Sequence, residues 1–341
     1  MVLFLIILLV VSCYGMKFSP FFKDFMSIHS STAIKGFFAL IILLSHAQNY
    51  LSLGPGIPDR VFGFTMRYLG QLMVAMYFFY SGYGILESAK NKIGYVDHFF
   101  RNRFLKTWLH FVLAVLLFLI LQCILGNHFE TWDYVLCWTG WRSLGNSNWF
   151  IFVILVLYLA SYLILLLQKW TSLPEWGFTL LISILSTGLW VLLFHSKPSE
   201  HWWYDTIAAF PAGMWFSLLK KKKAEVPSIA RHILVTTAVL VVFVLWRQYI
   251  GIDRIGICSI LFSFALIGFS TWIKLNNPAL QWLGNHCFSI YMLQRIPMIL
   301  LSHFGLQDRK ILFTTAVIII ALFLAWGFKR LTDSIDKRIF A

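Results

Sequence analysis

The sequence predicts an all-α fold: a polytopic integral membrane bundle of about ten transmembrane helices. Only 12% of the 341 residues are charged, and the mean hydropathy is +0.76, whereas about a quarter of the residues in a soluble domain are charged. Apolar runs of spanning length recur along the whole chain. So few charges cannot cover a water-facing surface, which excludes an ordinary cytosolic enzyme, a disordered chain and a small disulfide scaffold.

Runs of about 17–25 apolar residues are long enough to cross the hydrocarbon core as helices. Ten such runs predict spans at 34–53, 68–87, 104–125, 149–168, 177–195, 204–219, 232–250, 255–274, 286–304 and 311–328. Between them lie short loops, and the largest loop on the outer side is 126–148.

The first apolar run, Val2–Val11, is too short to span comfortably and lacks the basic start of a signal peptide. Met16, which precedes Lys17, is an alternative start that would make 1–15 an upstream extension. We divide the chain into an N-terminal hydrophobic extension and cytoplasmic lead-in (1–29), a transmembrane domain (30–330) and a basic cytoplasmic tail (331–341).

The distribution of basic residues predicts the orientation. When alternate loops are assigned to opposite sides, one side holds 19 of the 28 Lys and Arg residues and the other holds 9. The richer side is expected to be cytoplasmic. Both ends of the core then lie on the cytoplasmic side, and the protein is expected to be a multi-pass protein of the cytoplasmic (inner) cell membrane. The net charge of +14 then reflects topology and contact with anionic lipids rather than binding of nucleic acid.

The first span carries Lys35 at its cytoplasmic mouth and His46 eleven residues later. Eleven residues correspond to about 16 Å of helix rise and about three full turns, which places both side chains on one face. His46 is therefore expected near mid-membrane. An imidazole at that depth indicates either a polar cavity or a hydrogen bond that only packs two helices together.

Two further groups lie near the predicted cytoplasmic face. Ser81 and Gly82 form a small pair that allows close approach of a ligand or of another helix. Arg103 and Lys106 are three residues apart at the start of the third span and are expected to share a face. With Lys35 they form a cationic cluster suited to a polyanion, although from charge alone a topology signal and binding of lipid headgroups explain these residues better.

Gln294 and Arg295 fall near the middle of the ninth span, at a depth similar to that of His46. An arginine there indicates either a functional site, where it pairs with a carboxylate or stabilises a developing negative charge, or a structural residue that pairs or snorkels. The five cysteines show no metal-binding spacing, and no P-loop, HExxH or GxSxG motif is present. A fused ATPase, a zinc protease and a serine hydrolase are therefore disfavoured.

In this order, the motifs resemble those of the membrane-bound acyltransferase family 3, which includes glycan O-acetyltransferases. The likeness covers about residues 30–330. The matching residues are Lys35 with His46, Phe78-Phe79 with Ser81-Gly82, Arg103 with Lys106, Asn148-Trp149-Phe150 with Tyr158, and Ser289 with Tyr291 and Gln294.

The sequence also departs from the family pattern. Lys35 and Lys106 stand where arginine is usual, and Gln294 replaces a late histidine. Ile154 occupies a place where some members have glutamate, and Trp108 lies near a place where proline is common. Lysine keeps the positive charge but loses the bidentate geometry that arginine offers to phosphate.

The resemblance implies transfer of an acetyl group from acetyl-CoA, or another acyl group from its CoA thioester, to a hydroxyl of a cell-surface or lipid-linked glycan, without a metal. In this interpretation His46 is the general base, and Arg295 and Gln294 stabilise the oxyanion. Lys35, Arg103, Lys106, Ser81 and Gly82 are assigned to the donor. Trp149, Tyr291 and Asn49 are assigned to the acceptor.

Three other interpretations compete with an acyltransferase. A transporter or flippase for a lipid-linked glycan would also contain many spans with buried polar groups, but repeat symmetry and paired broken spans are not evident. A glycan polymerase or ligase would need a larger outer loop than 126–148. A structural protein of an envelope complex, with a degenerate catalytic site, would tolerate Gln294 and Ile154 at positions where the family has a histidine or, in some members, a glutamate.

Overall fold

The computed structural model describes residues 1–220, 229–249 and 255–340. These residues form fifteen α-helices: α1 Val2–Cys13, α2 Ile28–Gln48, α3 Ile57–Asn91, α4 Tyr95–Phe99, α5 Lys106–Ile124, α6 Thr131–Leu136, α7 Trp149–Thr171, α8 Glu175–Ser196, α9 Ala209–Leu219, α10 Ile229–Tyr249, α11 Ile255–Ser270, α12 Pro278–Asn285, α13 Cys287–Leu293, α14 Arg295–His303 and α15 Lys310–Ile339. A π-helical segment, Phe100–Leu105, joins α4 to α5, and short 3₁₀ turns occupy Cys137–Thr139, His201–Trp203 and Leu306–Asp308.

The prediction of an all-α membrane bundle is confirmed. Within the described residues, six helical segments are long and apolar enough to cross a membrane: Ile28–Gln48, Ile57–Asn91, Tyr95–Ile124, Trp149–Thr171, Glu175–Ser196 and Lys310–Ile339. The four other predicted spans correspond to α9, α10, α11 and the α13–α14 pair. Apart from α10, these helices are 16 residues long or shorter.

The ninth predicted span, 286–304, is not one continuous helix. It is interrupted at Gln294, between α13 and α14. Pro297 explains the interruption, because proline has no N–H to donate to the carbonyl of Leu293 and its ring crowds that carbonyl. The residues that the sequence places at mid-span therefore lie at a helix break.

The N-terminal segment packs onto the bundle. Phe4 and Leu8 of α1 are buried, and the Asn277 side chain donates a 2.6 Å hydrogen bond to the carbonyl of Val11. Two short antiparallel strands, β1 Lys17–Phe18 and β2 Ile273–Lys274, pair just after α1. The lead-in to α2 is thereby fixed against the segment that precedes α12.

The C-terminal segment differs from the predicted tail. Helix α15 continues to Ile339, so residues 331–339 extend a helix. Thr332 and Asp336 of this extension are buried. The reason is that the polar residues of the tail continue the helix and turn one face toward α5, where the Asp336 carboxylate contacts Lys106 and His110.

Candidate active site

A large cavity lies between α2, α3, α7, α13 and the π-helical segment, with an empty volume of about 1670 Å³. We call it the basic cavity, because Lys35, Lys92 and Arg103 lie on its wall and Glu87 is the acidic residue there. Its other lining includes Ser81. Two of the predicted cations are thus brought together from different helices, which gives the cavity a net positive wall suited to an anionic ligand.

Lys35 is held among tyrosines. Its ammonium lies 5.4 Å from the centre of the Tyr80 ring, and its backbone carbonyl accepts a 2.8 Å hydrogen bond from the Tyr77 hydroxyl. The Tyr80 hydroxyl is buried and has no hydrogen-bond partner among the described residues. Lys35 is therefore fixed at its backbone, while its charge is left for a ligand.

Arg103 approaches the basic cavity from the π-helical segment and interacts electrostatically with Tyr95 and Tyr158. The Tyr158 hydroxyl in turn accepts a 2.9 Å hydrogen bond from Ser81. The predicted donor residues Arg103 and Ser81 are consequently linked through Tyr158 of α7. Both lie on the cavity wall.

Lys106 does not join this group, which corrects the expectation that it shares a face with Arg103. It is not among the residues that line the basic cavity, and its ammonium lies 2.6 Å from the Asp336 carboxylate. His110 approaches the same carboxylate at 2.9 Å. A π-helical turn holds more residues than an α turn, so a spacing of three no longer brings the two side chains together.

Gly82 also lies elsewhere than expected. A Cβ atom at this position would overlap the backbone carbonyl of Phe210 in α9, and one at Gly213 would overlap that of Phe79 in α3. Gly82 thus permits close contact between α3 and α9. The packing alternative applies to Gly82, whereas its neighbour Ser81 faces the cavity.

A second, narrower cavity adjoins the basic cavity. We call it the narrow cavity. Its lining is almost entirely apolar and consists of Ala39, Ile42, Val74, Tyr77, Phe150, Cys287, Phe288 and Tyr291. Four residues line both cavities: Tyr77, Phe150, Cys287 and Phe288. The two cavities are therefore adjacent, and we call the pair, from the cations to Tyr291, the passage.

One face of α2 follows this passage. Lys35 lines the basic cavity, Ala39 and Ile42 line the narrow cavity, and His46 comes next at the same helical spacing. Positions 35, 39, 42 and 46 are separated by four, three and four residues, which is the repeat of a single helix face. The imidazole therefore follows the passage wall beyond the narrow cavity.

His46 lies in the last turn of α2, which begins at Ile28 and ends at Gln48. The predicted span 34–53 is displaced by about five residues, because the Ser27 hydroxyl caps the helix early by accepting a bond from the Ser30 N–H. His46 is thus near a helix end and not at its centre. It is half-buried, and no hydrogen bond joins its ring to a described residue.

The charged neighbour of His46 is Arg295, whose guanidinium interacts electrostatically with the imidazole. No carboxylate of the described residues has such an interaction with His46. Arg295 forms no ion pair within this part of the chain. The sequence left two roles open for Arg295, and the described residues provide no carboxylate partner for the first of them. A free guanidinium beside an imidazole suits a developing negative charge.

The helix break collects polar groups without partners. The Tyr291 hydroxyl, both polar atoms of the Gln294 side chain and Nε of Arg295 are buried and have no hydrogen-bond partner among the described residues. Gln294 is 0% exposed. Buried polar groups are nearly always hydrogen-bonded, so this concentration is typical of a site that water or a ligand fills.

The remaining predicted acceptor residues lie around this end of the bundle. Trp149 is buried at the start of α7, beside Phe150, whose ring is 5.5 Å from that of Tyr291. Asn49 is exposed just after α2, and its N–H bonds to the carbonyl of His46 at 3.2 Å. Tyr291 therefore lines the narrow cavity, whereas Trp149 and Asn49 line neither cavity.

Some residues of the passage escaped the sequence analysis. Tyr77 and Cys287 line both cavities. Ile154, already noted as a departure from the family pattern, lines the basic cavity. Tyr77 lies four residues before Ser81, so the helical repeat indicates their shared face. Cys287 gave no such signal, because a cysteine inside an apolar run looks like any small buried side chain.

Comparison with known proteins identifies the family of the chain. No curated protein and no solved structure matches the sequence. A family model described as an acyltransferase domain, that of acyltransferase family 3, matches residues 28–330. This range contains both cavities, His46 and the helix break. The chain is an integral, multi-pass membrane protein and belongs to the acyltransferase family 3.

Proposed function

We propose that the protein transfers an acetyl group from acetyl-CoA, bound from the cytoplasm, to a hydroxyl of a cell-surface or lipid-linked glycan. It would do so in the cell membrane, as a ten-span bundle with both ends of its core inside. The observation that carries the proposal is the passage, whose wall begins at Lys35 and Arg103 and leads along α2 toward His46.

The basic cavity supplies the donor site in this proposal. Lys35, Lys92 and Arg103 face the phosphates of CoA, for which clustered cations are the usual protein partner. The apolar narrow cavity accepts the uncharged arm that carries the thioester. Helix rise along α2 places His46 about 16 Å from Lys35, so the thioester is delivered at a distance from its phosphates.

The chemistry is a single acyl transfer. His46 accepts the proton of the acceptor hydroxyl as the oxygen attacks the thioester carbon. A C–O bond forms and the C–S bond breaks. The sulfur leaves as the thiolate of CoA and takes the proton back from the imidazolium, which restores neutral His46. Arg295 and the Gln294 amide stabilise the oxyanion of the tetrahedral intermediate.

Replacement of His46 tests the proposal. His46→Asn is expected to abolish acetyl transfer from labelled acetyl-CoA to envelope glycan in reconstituted membranes, while insertion and CoA binding persist. His195→Asn is the matched control, because His195 is an exposed histidine near the end of α8 and lines neither cavity. Transfer that continues in the His46→Asn protein would show that another group acts as the base.

Mass spectrometry of surface glycans provides the complementary measurement in cells. Glycans from cells with and without the gene are expected to differ by the mass of one acetyl group per modified residue. A different mass increment would identify another acyl donor. Identical glycan masses, together with movement of an unmodified lipid-linked saccharide across the membrane, would favour a flippase instead.

A further inference from the structure

The end of the predicted outer loop is folded into the protein. Residues 143–148, which we call the inner segment, follow the exposed part of the loop and precede α7. Asn146 and Ser147 are each 3% exposed, and Leu144 is 0% exposed. A loop normally stays on the surface, because burial leaves its backbone polar groups without water.

Several backbone groups of the inner segment are paired by hydrogen bonds from side chains of the segment and of α5. Ser143 donates to the carbonyl of Asn146 at 2.7 Å, and the side-chain oxygen of Asn146 accepts from the N–H of Leu144 at 3.0 Å. Gln122 of α5 donates to the Leu144 carbonyl at 2.6 Å, and Asn148 donates to Gly140 at 2.7 Å. Its shape is therefore set by these bonds.

Two side-chain atoms of the segment take no part in them. The Asn146 amide nitrogen and the Ser147 hydroxyl are buried and have no hydrogen-bond partner in the described part of the chain. Leaving such a group buried and unpaired is unfavourable, because it loses its bonds to water and gains none in the protein. A segment that pairs its backbone carefully but leaves these atoms unpaired is typical of a binding surface.

The inner segment contacts α14, the helix that begins at the break. A Cβ atom at Gly145 would come within 2.8 Å of the Ile299 side chain, and Ile299 follows Arg295 by about one turn of α14. Immediately after the segment, the Phe150 ring lies 5.5 Å from the Tyr291 ring. The segment is thus next to α14 and leads into a residue packed on Tyr291, and Tyr291, Gln294 and Arg295 also have unpaired polar atoms.

The unpaired atoms have a distinct chemical character. Asn146, Gln294 and Arg295 offer N–H donors, the Gln294 and Gln48 side-chain oxygens are acceptors, and the hydroxyls of Ser147 and Tyr291 are both. No carboxylate is among these unpaired atoms of the described residues. Mixed donors and acceptors without an acidic group match a neutral ligand that carries several hydroxyls.

We propose that the inner segment forms the acceptor site, in which Asn146 and Ser147 bind hydroxyls of a neutral saccharide beside the one that is acylated. This inference rests on the proposed function and specifies where its second substrate binds. Asn146 and Ser147 are positioning residues that bring the alcohol to His46, and they do not contact the donor.

The test uses Ser147→Ala, which removes the unpaired hydroxyl and little else. Ser161→Ala is its matched control, because Ser161 is equally buried but bonds to the Leu157 carbonyl within its own helix. The acceptor is polysaccharide extracted from cells that lack the gene and stripped of esters with mild alkali. The donor is labelled acetyl-CoA, and each substrate is varied with the other at saturation.

We expect Ser147→Ala to raise the KM for the polysaccharide about fivefold to tenfold, with the KM for acetyl-CoA and the thermal stability unchanged. Ser161→Ala should leave both KM values unchanged. Equal KM values for acceptor in wild-type and Ser147→Ala proteins that both transfer acetyl would overturn the acceptor site but not the proposed function. A wild-type protein that transfers no acyl group would overturn the proposed function and this inference with it.

Discussion

Arg103 and Lys106 carry the same charge three residues apart, yet their surroundings differ. Arg103 lies on the wall of the basic cavity, near two tyrosines. Lys106 is engaged by Asp336, which also contacts His110. Arg103 forms no ion pair with a described carboxylate, whereas Lys106 connects α5 to α15.

The two cations are therefore expected to respond differently to substitution. Arg103→Ala should raise the KM for acetyl-CoA about tenfold, because tenfold corresponds to about 1.4 kcal/mol and one charge-assisted hydrogen bond is worth about that much. Lys106→Ala should change this KM by less than about threefold. Steady-state kinetics of the two variants with acetyl-CoA as the varied substrate makes the comparison.

A double-mutant cycle completes that test. Lys106→Ala and Asp336→Ala should each lower the midpoint of thermal unfolding, and the double variant should lose less than the sum, because both remove one contact. Additive losses would mean that the Lys106–Asp336 pair contributes nothing. A larger effect of Lys106→Ala than of Arg103→Ala on the donor KM would place the phosphates at Lys106 after all.

Individual residues were predictable where a regular helix connects them. Lys35, Ala39 and Ile42 line the two cavities in the order that helical spacing predicts, and the same spacing continues to His46. Arg103 and Lys106 do not share a face, because the π-helical segment alters the helical repeat. No residue type predicts a π-helical segment, so the sequence could not indicate this change. Gly82 was ambiguous for another reason: a small residue serves a neighbouring backbone and a ligand equally well.

At the scale of elements, the interruption between α13 and α14 determines how the polar groups at the end of the passage are presented. Pro297 removes the N–H that would bond to Leu293. Gln294 is at the interruption, and Arg295 begins the next helix. A continuous helix would turn these side chains through a different angle.

Pro297→Ala is accordingly expected to restore a helical hydrogen bond and stabilise the protein by as much as about 3 kcal/mol. The same change should lower kcat for acetyl transfer at least tenfold, because Gln294 and Arg295 move. Pro278→Ala is the control, since Pro278 occupies the first turn of α12, where no N–H is needed. Unchanged kcat in a more stable Pro297→Ala protein would contradict a role for the break.

The elements themselves were largely visible in the sequence. Long apolar runs identified the six spanning segments, because length and hydropathy are dictated by the bilayer. The helix ends were displaced where a cap intervened, as Ser27 does for α2. The buried inner segment was not foreseen, because its polar residues read as an ordinary outer loop and their pairing depends on Gln122 from a distant helix.

For the whole molecule, the central feature is that two cavities of opposite character lie side by side and share four lining residues. The basic cavity is large and cationic, and the narrow cavity is apolar. Cys287 lies on both walls. It is therefore a natural reporter of what occupies the passage.

In a protein whose exposed Cys13 and Cys123 are replaced by serine, a small methanethiosulfonate reagent is expected to label Cys287. Saturating CoA should slow this labelling at least fivefold, because its arm would occupy the narrow cavity. Arg103→Ala should remove most of the protection, and mass spectrometry of tryptic peptides reports the extent of labelling. Restoring Cys123 provides the control, since its labelling should not respond to CoA.

Protection of Cys123 and Cys287 to the same degree would indicate a general effect of CoA on the protein. No protection of Cys287 would mean that CoA does not enter the passage. Both results can be obtained without an acceptor, so they separate donor binding from the transfer reaction.

The unpaired polar atoms at the helix break imply that water fills this place when no ligand does. If the donor is a thioester, that water is a rival nucleophile, because a base that deprotonates an alcohol will also deprotonate water. The yield of ester over wasteful hydrolysis then depends on how completely the incoming alcohol expels it. The inner segment would thus protect the donor's chemical energy as well as select the sugar.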